Sequence, residues 1–162
     1  MKILVIYHSF EGSTKLIAET IAKVTNADIL ELKTKEELVK THGFMKYFWG
    51  GRSVVFKDKP ELLALEKNPT DYDLIFIGTP VWAFTFTPPL RSLLAQEILN
   101  NKKIAIFCTH EGGPGKTLEN MKNEFVGNEI VSEMDFKNVK KNPDENIEKA
   151  TEWAKQLFSK MA

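Results

Sequence analysis

Three short stretches of this sequence combine residue types that chemistry uses. Residues 9–14 read S-F-E-G-S-T, residues 78–87 read G-T-P-V-W-A-F-T-F-T, and residues 109–116 read T-H-E-G-G-P-G-K. The first follows an apolar run at 3–7 and precedes an amphipathic one at 16–24. A strand that turns through small residues into a helix aims backbone N–H groups at one spot. That spot lies at the positive end of a helix dipole, so it suits an anion, most often a phosphate. Ser9, Ser13 and Thr14 can add hydroxyl donors around a phosphate dianion. In the second stretch, Trp82 follows Pro80 and Val81 in a loop where a large aromatic has no automatic core partner. It could cap the sheet edge or stack on a planar ligand. In the third, Gly112, Gly113 and Gly115 let backbone amides come close to a ligand. G-G-P-G-K-T at 112–117 imitates part of a nucleoside-triphosphate loop, but His110 stands where that loop requires its first glycine, which excludes an ATPase or GTPase.

These stretches need elements to position them, and the chain supplies an alternation. Residues 2–7 form a continuous apolar run, as in a strand buried on both faces of a parallel sheet. Leu16, Ile17, Thr20, Ile21 and Val24 share one helical face. Residues 27–32 predict a second, less apolar strand of the kind found at an edge. A third strand spans 73–78. Thr87 and Pro88 then open a helix as N-cap and first helical residue, with Leu90, Leu93, Leu94 and Ile98 on its buried side. A fourth strand spans 103–109, and Leu118, Met121 and Phe125 mark the next helix. Residues 129–136 predict a shorter fifth strand. Asn142, Pro143, Asp144 and Glu145 open a last helix whose stripe is Ile147, Ala150, Trp153, Ala154, Leu157, Phe158 and Met161. Parallel strands need right-handed crossovers, so the reading is a doubly wound α/β sheet. Ligands of such sheets bind outside the carboxyl ends of the strands, which is where all three stretches emerge. Residues 33–60 are less regular. A helical turn is expected at 36–40. A helix is expected at 44–49, where Phe44, Tyr47 and Phe48 would pack on the sheet and Gly50 and Gly51 would close it. The alternative for those aromatics is a partner or substrate surface, joined by the nearby lysines.

Composition bounds the rest. A chain of 162 residues suits one domain, 1–162, and its formal net charge of zero implies neither nucleic acid nor an anionic membrane as partner. The single cysteine excludes an internal disulfide framework, and His8, His42 and His110 are too scattered for a helical metal motif. Cys108 reads as a small buried residue rather than a redox thiol. No run approaches a membrane span and residues 1–7 are too short for a signal peptide, so a cytoplasmic protein is the default expectation.

The three loops resemble those of the flavodoxin family, over nearly the whole chain. The family's phosphate loop reads [ST]-x-T-G-x-T, and Ser9, Glu11, Gly12, Ser13 and Thr14 stand at its positions. Thr79, Pro80, Val81, Trp82 and Ala83 look like the second flavin loop, with Trp82 stacking on the ring and Phe84 or Phe86 helping to cover it. Thr109, His110, Gly112, Gly113 and Gly115 are similar to the third. His110 would approach the pyrimidine end of the flavin or be an ordinary exposed loop histidine. The resemblance implies a three-layer, doubly wound, five-stranded parallel sheet in the order 2-1-3-4-5; flavodoxin is itself the standard illustration of that order with flavin at the switch point. It implies flavin mononucleotide (FMN) as cofactor and electron transfer to redox partner proteins or a small-molecule electron acceptor. The alternative is a small FMN-dependent NAD(P)H/quinone oxidoreductase. A receiver domain of the same fold would need carboxylates where the first and third strands end in Tyr7 and Gly78. Three departures from the family matter. Glu11 replaces threonine, so its carboxylate should point to solvent, away from a phosphate. Ala83 stands where many flavodoxins have glycine, which predicts a less stabilised neutral semiquinone. The balanced charge departs from the acidic surface of electron carriers and raises the reductase alternative.

Overall fold

The computed structural model describes residues 1–35 and 59–161. Five strands alternate with four helices among them: β1 (Ile3–Tyr7), α1 (Ser13–Thr25), β2 (Asp28–Glu31), β3 (Leu74–Pro80), α2 (Pro88–Leu94), β4 (Lys103–His110), α3 (Thr117–Glu124), β5 (Glu129–Lys137) and α4 (Pro143–Met161). A short 3-10 turn, Pro69–Asp71, precedes β3. All neighbours pair in parallel, in the order β2-β1-β3-β4-β5. This is the order implied by the resemblance, with the switch point between β1 and β3.

The unbroken apolar run of β1 divides by the strand period of two. Ile3, Val5 and Tyr7 pack with Ile17 and Ile21 of α1 and Trp153, Ala154 and Leu157 of α4. Leu4 and Ile6 face the opposite layer, with Leu90 and Leu93 of α2 and Met121 of α3. A strand sandwiched this way must be apolar at every position, which is why β1 shows no alternation. Under α4, Phe76, Phe107, Phe136 and Trp153 meet edge to face at 5.5–6.2 Å between centroids. Trp153 Nε1–H donates to Ser132 Oγ at 2.8 Å, so the one polar group of the cluster is satisfied.

Several expectations need correction. β3 and β4 run on into what were read as loops, because Thr79 still pairs with Cys108 and Pro80 with Thr109. β5 is the longest strand at nine residues, not a shorter one. It stays half-buried at the sheet edge, so polar residues extend it without cost to a core. α2 ends at Leu94, before Ile98, which nevertheless packs against the same core. Phe158 stays 42% exposed instead of completing the α4 stripe. The helices expected at 36–40 and 44–49, with their aromatics, lie outside the described residues.

Candidate functional site

The first loop is built by a glycine. Gly12 caps α1 at φ 98°, a left-handed conformation that side chains resist. The turn it makes brings Ser9 back over the helix start, where its Oγ accepts N–H groups from Gly12 and Lys15, both at 3.2 Å. The amides of this helix start therefore focus on an oxygen atom. The Ser13 and Thr14 N–H groups have no partner within the helix. Glu11 is exposed. Thr14 is buried and its hydroxyl pairs with that of Thr109 at 2.8 Å, tying the first loop to the end of β4. Two hydroxyls share one proton in that contact, so the second proton stays available for a ligand.

The second loop is strained. Trp82 and Thr85 exchange backbone hydrogen bonds at 2.9 and 3.1 Å, leaving Ala83 and Phe84 as a two-residue turn. Both have positive φ, 46° and 66°. This is the type I′ geometry, which glycine and asparagine adopt with least cost. Contacts from the third loop and from α3 hold it. The Lys116 N–H donates to the Phe84 carbonyl at 3.3 Å, and Asn120 Nδ2–H donates to Thr85 Oγ1 at 2.8 Å. A Cβ at Gly115 would meet the same carbonyl at 3.0 Å, so glycine is needed for this approach. Ala83→Gly is expected to raise stability by about 0.5–1 kcal/mol, the relief of left-handed strain less the entropy glycine adds to the unfolded chain. Urea denaturation of the flavin-free protein measures it, and a loss of stability would show that the turn is not strained at Ala83.

Trp82 stands edge-on to two rings at the end of β1, His8 at 5.7 Å and Phe10 at 5.8 Å. His8 is buried and its Nδ1 shares a hydrogen bond with Thr87 Oγ1 at 2.9 Å. Burial pushes its pKa down to about 4, so the imidazole is neutral at pH 7. Thr87 thus starts α2 without using its side chain as the cap; the hydroxyl turns inward to His8 and to Thr79 Oγ1 at 3.2 Å.

In the third loop His110 is anchored, not exposed: its side chain is 4% accessible. Nε2–H donates to Asp135 Oδ2 at 2.6 Å, and Nδ1 accepts the Gly113 N–H at 3.0 Å. Cys108, just below, is buried, and desolvation pushes its thiol up to about 12, which makes it inert.

The three loops converge on one cleft of about 440 Å³. Of the residues expected at a ligand, Ser9, Glu11, Ser13 and Thr14 line it from the first loop. Pro80, Val81, Trp82, Ala83 and Phe84 line it from the second, and Thr109, His110, Gly112, Gly113 and Gly115 from the third. Gly12 and Thr79 do not line it. Gly12 shapes the turn from behind, and Thr79 is fully buried, donating to the Pro80 carbonyl and accepting the Thr87 N–H. Phe86 is also absent, being buried in the opposite core layer. Phe10, Glu111 and Val139 line the cleft without having been singled out. Phe10 and Glu111 lie inside the first and third of the sequence motifs, at 9–14 and 109–116. Val139, and Asp135 behind His110, carry no local signal; β4–β5 pairing sets Asp135 against Cys108 and Lys137 against His110. No lysine or arginine lines the cleft among the described residues, whereas Glu11 and Glu111 do. From these residues an anion would meet amides and hydroxyls. Among the described residues no helix is long and apolar enough to cross a membrane.

The sequence model of the family described as Flavodoxin matches residues 2–156. No curated protein matches the chain. Among solved structures it is similar to a flavoprotein from Lactobacillus acidophilus NCFM in complex with FMN, at 25% identity over 93% of this chain and 98% of that one, with a TM-score of 0.72. The apo form of the flavoprotein from the same organism, solved by NMR, matches at 27% identity over 87% and 95%, TM-score 0.64. Two-electron-reduced Megasphaera elsdenii flavodoxin shares the fold at 13% identity over 94% and 97%, TM-score 0.59.

Proposed function

Because this chain belongs to the flavodoxin family, we propose that it holds FMN in the three-loop cleft and transfers electrons through it. The observation that carries this reading is the focus of the α1 amides on Ser9 Oγ at one end of a cleft that Trp82 lines. An oxygen already sits where a phosphate oxygen would be received, so the residues fit the group. Ser9, Ser13, Thr14 and their amides would hold the phosphate, Trp82 would face the ring, and the Gly112 region would face its pyrimidine end. FMN supplies the electron chemistry; the chain binds it, orients it and keeps water from one face.

Among the described residues no lysine or arginine lines the cleft, and on that ground the carrier is favoured over an NAD(P)H-dependent quinone reductase. Among those residues, a phosphorylated nicotinamide would meet Glu111 without a counter-charge. Redox partner proteins or a small acceptor would then exchange electrons at the exposed edge. Steady-state NADPH oxidation with a quinone is expected to be negligible without a separate reductase, and rapid turnover would replace the carrier reading with the enzyme one.

Absorption spectroscopy of the purified protein tests the cofactor, since flavin bands must follow the protein. Gly12→Val tests the anchor. Nothing lies within 4 Å of a Cβ at Gly12, so only backbone strain at φ 98° opposes the change. That strain is expected to weaken FMN binding about 10- to 100-fold, as the loop relaxes away from the phosphate. Glu11→Thr is expected to leave affinity unchanged or improve it. Equal losses in the two titrations would count against an anchor made of amides.

A further inference from the structure

We infer that Asp135 and His110 form a positioning pair that presents the third loop to the flavin ring. The inference rests on the FMN reading above, but its geometry does not. His110 is the last residue of β4, and its ring folds over the loop that follows. Nδ1 accepts the Gly113 N–H at 3.0 Å, three residues on, closing a turn that the backbone alone does not close. Gly113 sits at φ 127°, outside the range of side-chain-bearing residues, so the loop has little intrinsic preference for this shape. The imidazole supplies the template.

A histidine can do this in only one of its neutral tautomers, with Nδ1 bare and the proton on Nε2. Asp135 selects that tautomer. Its Oδ2 receives Nε2–H at 2.6 Å from β5, the strand paired with β4. The Lys149 ammonium donates to the Asp135 backbone carbonyl at 2.7 Å, and the Asn138 N–H donates to the His110 carbonyl at 2.8 Å. The pair is therefore held by α4 and by the residue that follows β5. The arrangement is the one used around metal-bound histidines, in which a carboxylate behind the ring fixes which nitrogen faces forward. Here the forward nitrogen holds a backbone amide. The Gly113 N–H is consumed in doing so, and its neighbours Glu111 and Gly112 also line the cleft. His110 and Asp135 thereby act through the loop.

The tautomer is testable without any flavin. In the flavin-free protein, ¹⁵N NMR of His110 is expected to show a protonated Nε2 and an unprotonated Nδ1. The opposite tautomer would overturn the inference outright. Titrations with FMN and with riboflavin test the consequence. His110→Leu removes both contacts and is expected to weaken both ligands by the same factor, about tenfold, because the loop faces the ring and not the phosphate. His110→Asn places an amide oxygen near the former Nδ1 and is expected to recover most of that loss. Asp135→Leu is expected to weaken binding like His110→Leu, whereas Asp135→Asn retains an acceptor for Nε2–H and is expected to bind nearly normally. Far-ultraviolet circular dichroism and melting temperature identify any variant that fails to fold. Folded His110→Leu protein with unchanged riboflavin affinity, or no rescue by asparagine at either position, would overturn the pair's role. If wild-type protein binds neither flavin, the FMN reading fails while the tautomer result still stands or falls alone.

Discussion

Gly78→Ala is expected to destabilise the fold by about 3 kcal/mol or more, the upper end of the cost of overpacking a core. Gly78 lies in β3 directly opposite Phe107 of β4. A Cβ built there would stand 2.0, 2.3 and 2.6 Å from three carbons of the Phe107 ring. The ring cannot withdraw freely. It is fully buried, with Phe136 and Trp153 both at 6.2 Å on its flanks. Either the aromatic group shifts together or the β3–β4 spacing opens, and β3 carries the second loop of the cleft. Urea denaturation at neutral pH measures the loss. The double variant Gly78→Ala with Phe107→Leu is expected to be less destabilised than the sum of its parts, since the smaller side chain makes room for the methyl. Strict additivity would show that the clash is relieved elsewhere.

The second large effect is a dependence on pH. His8 titrates near 4 in the folded protein because burial disfavours its charged form, against about 6.5 when unfolded. Between those values the unfolded chain binds more protons than the folded one, so stability falls as pH falls. The contribution is intact above about pH 6.5, declines through the window, and by pH 4 amounts to a loss of about 3 kcal/mol. His8→Asn keeps a polar group near Thr87 Oγ1 but cannot ionise. It is expected to be less stable than wild type at pH 7 and to lose that disadvantage by pH 4.5. Denaturation curves at both values read the crossover, and parallel pH profiles for the two proteins would rule out His8 as the source. Because the His8 ring abuts Trp82, acid is also expected to disturb the wall on which the flavin would stack.

Much of the site was legible because phosphate-type anchors and aromatic platforms are local inventions. The small-residue turn from residue 9 to 14, the proline before Trp82 and the glycines at 112–115 each announce themselves within a few residues. The resemblance to a family then joined three weak signals into one expectation. What stayed hidden is carried by side chains that act across strands. Thr87 looked like a helix cap, yet its hydroxyl serves His8, 79 positions away in sequence. Thr14 looked like a free donor, yet its hydroxyl ties the first loop to Thr109, 95 positions on. Phe86 and Phe84 read alike in sequence, two residues apart, but the hairpin turn sends one into the core and leaves the other 77% exposed at the cleft.

By itself the sequence determined the alternation of strands and helices, the two-sided burial of β1, and which loops hold residues suited to an anion and a flat ring. Those properties follow from periodicity and from backbone chemistry, which act over a few residues. Only the tertiary structure decided that the three loops share one cleft. It also decided that His110 faces Gly113 with Asp135 behind it, and that Ala83 and Phe84 bear left-handed strain held by Lys116 and Asn120. These depend on strand order and register, which bring together groups that no local pattern connects.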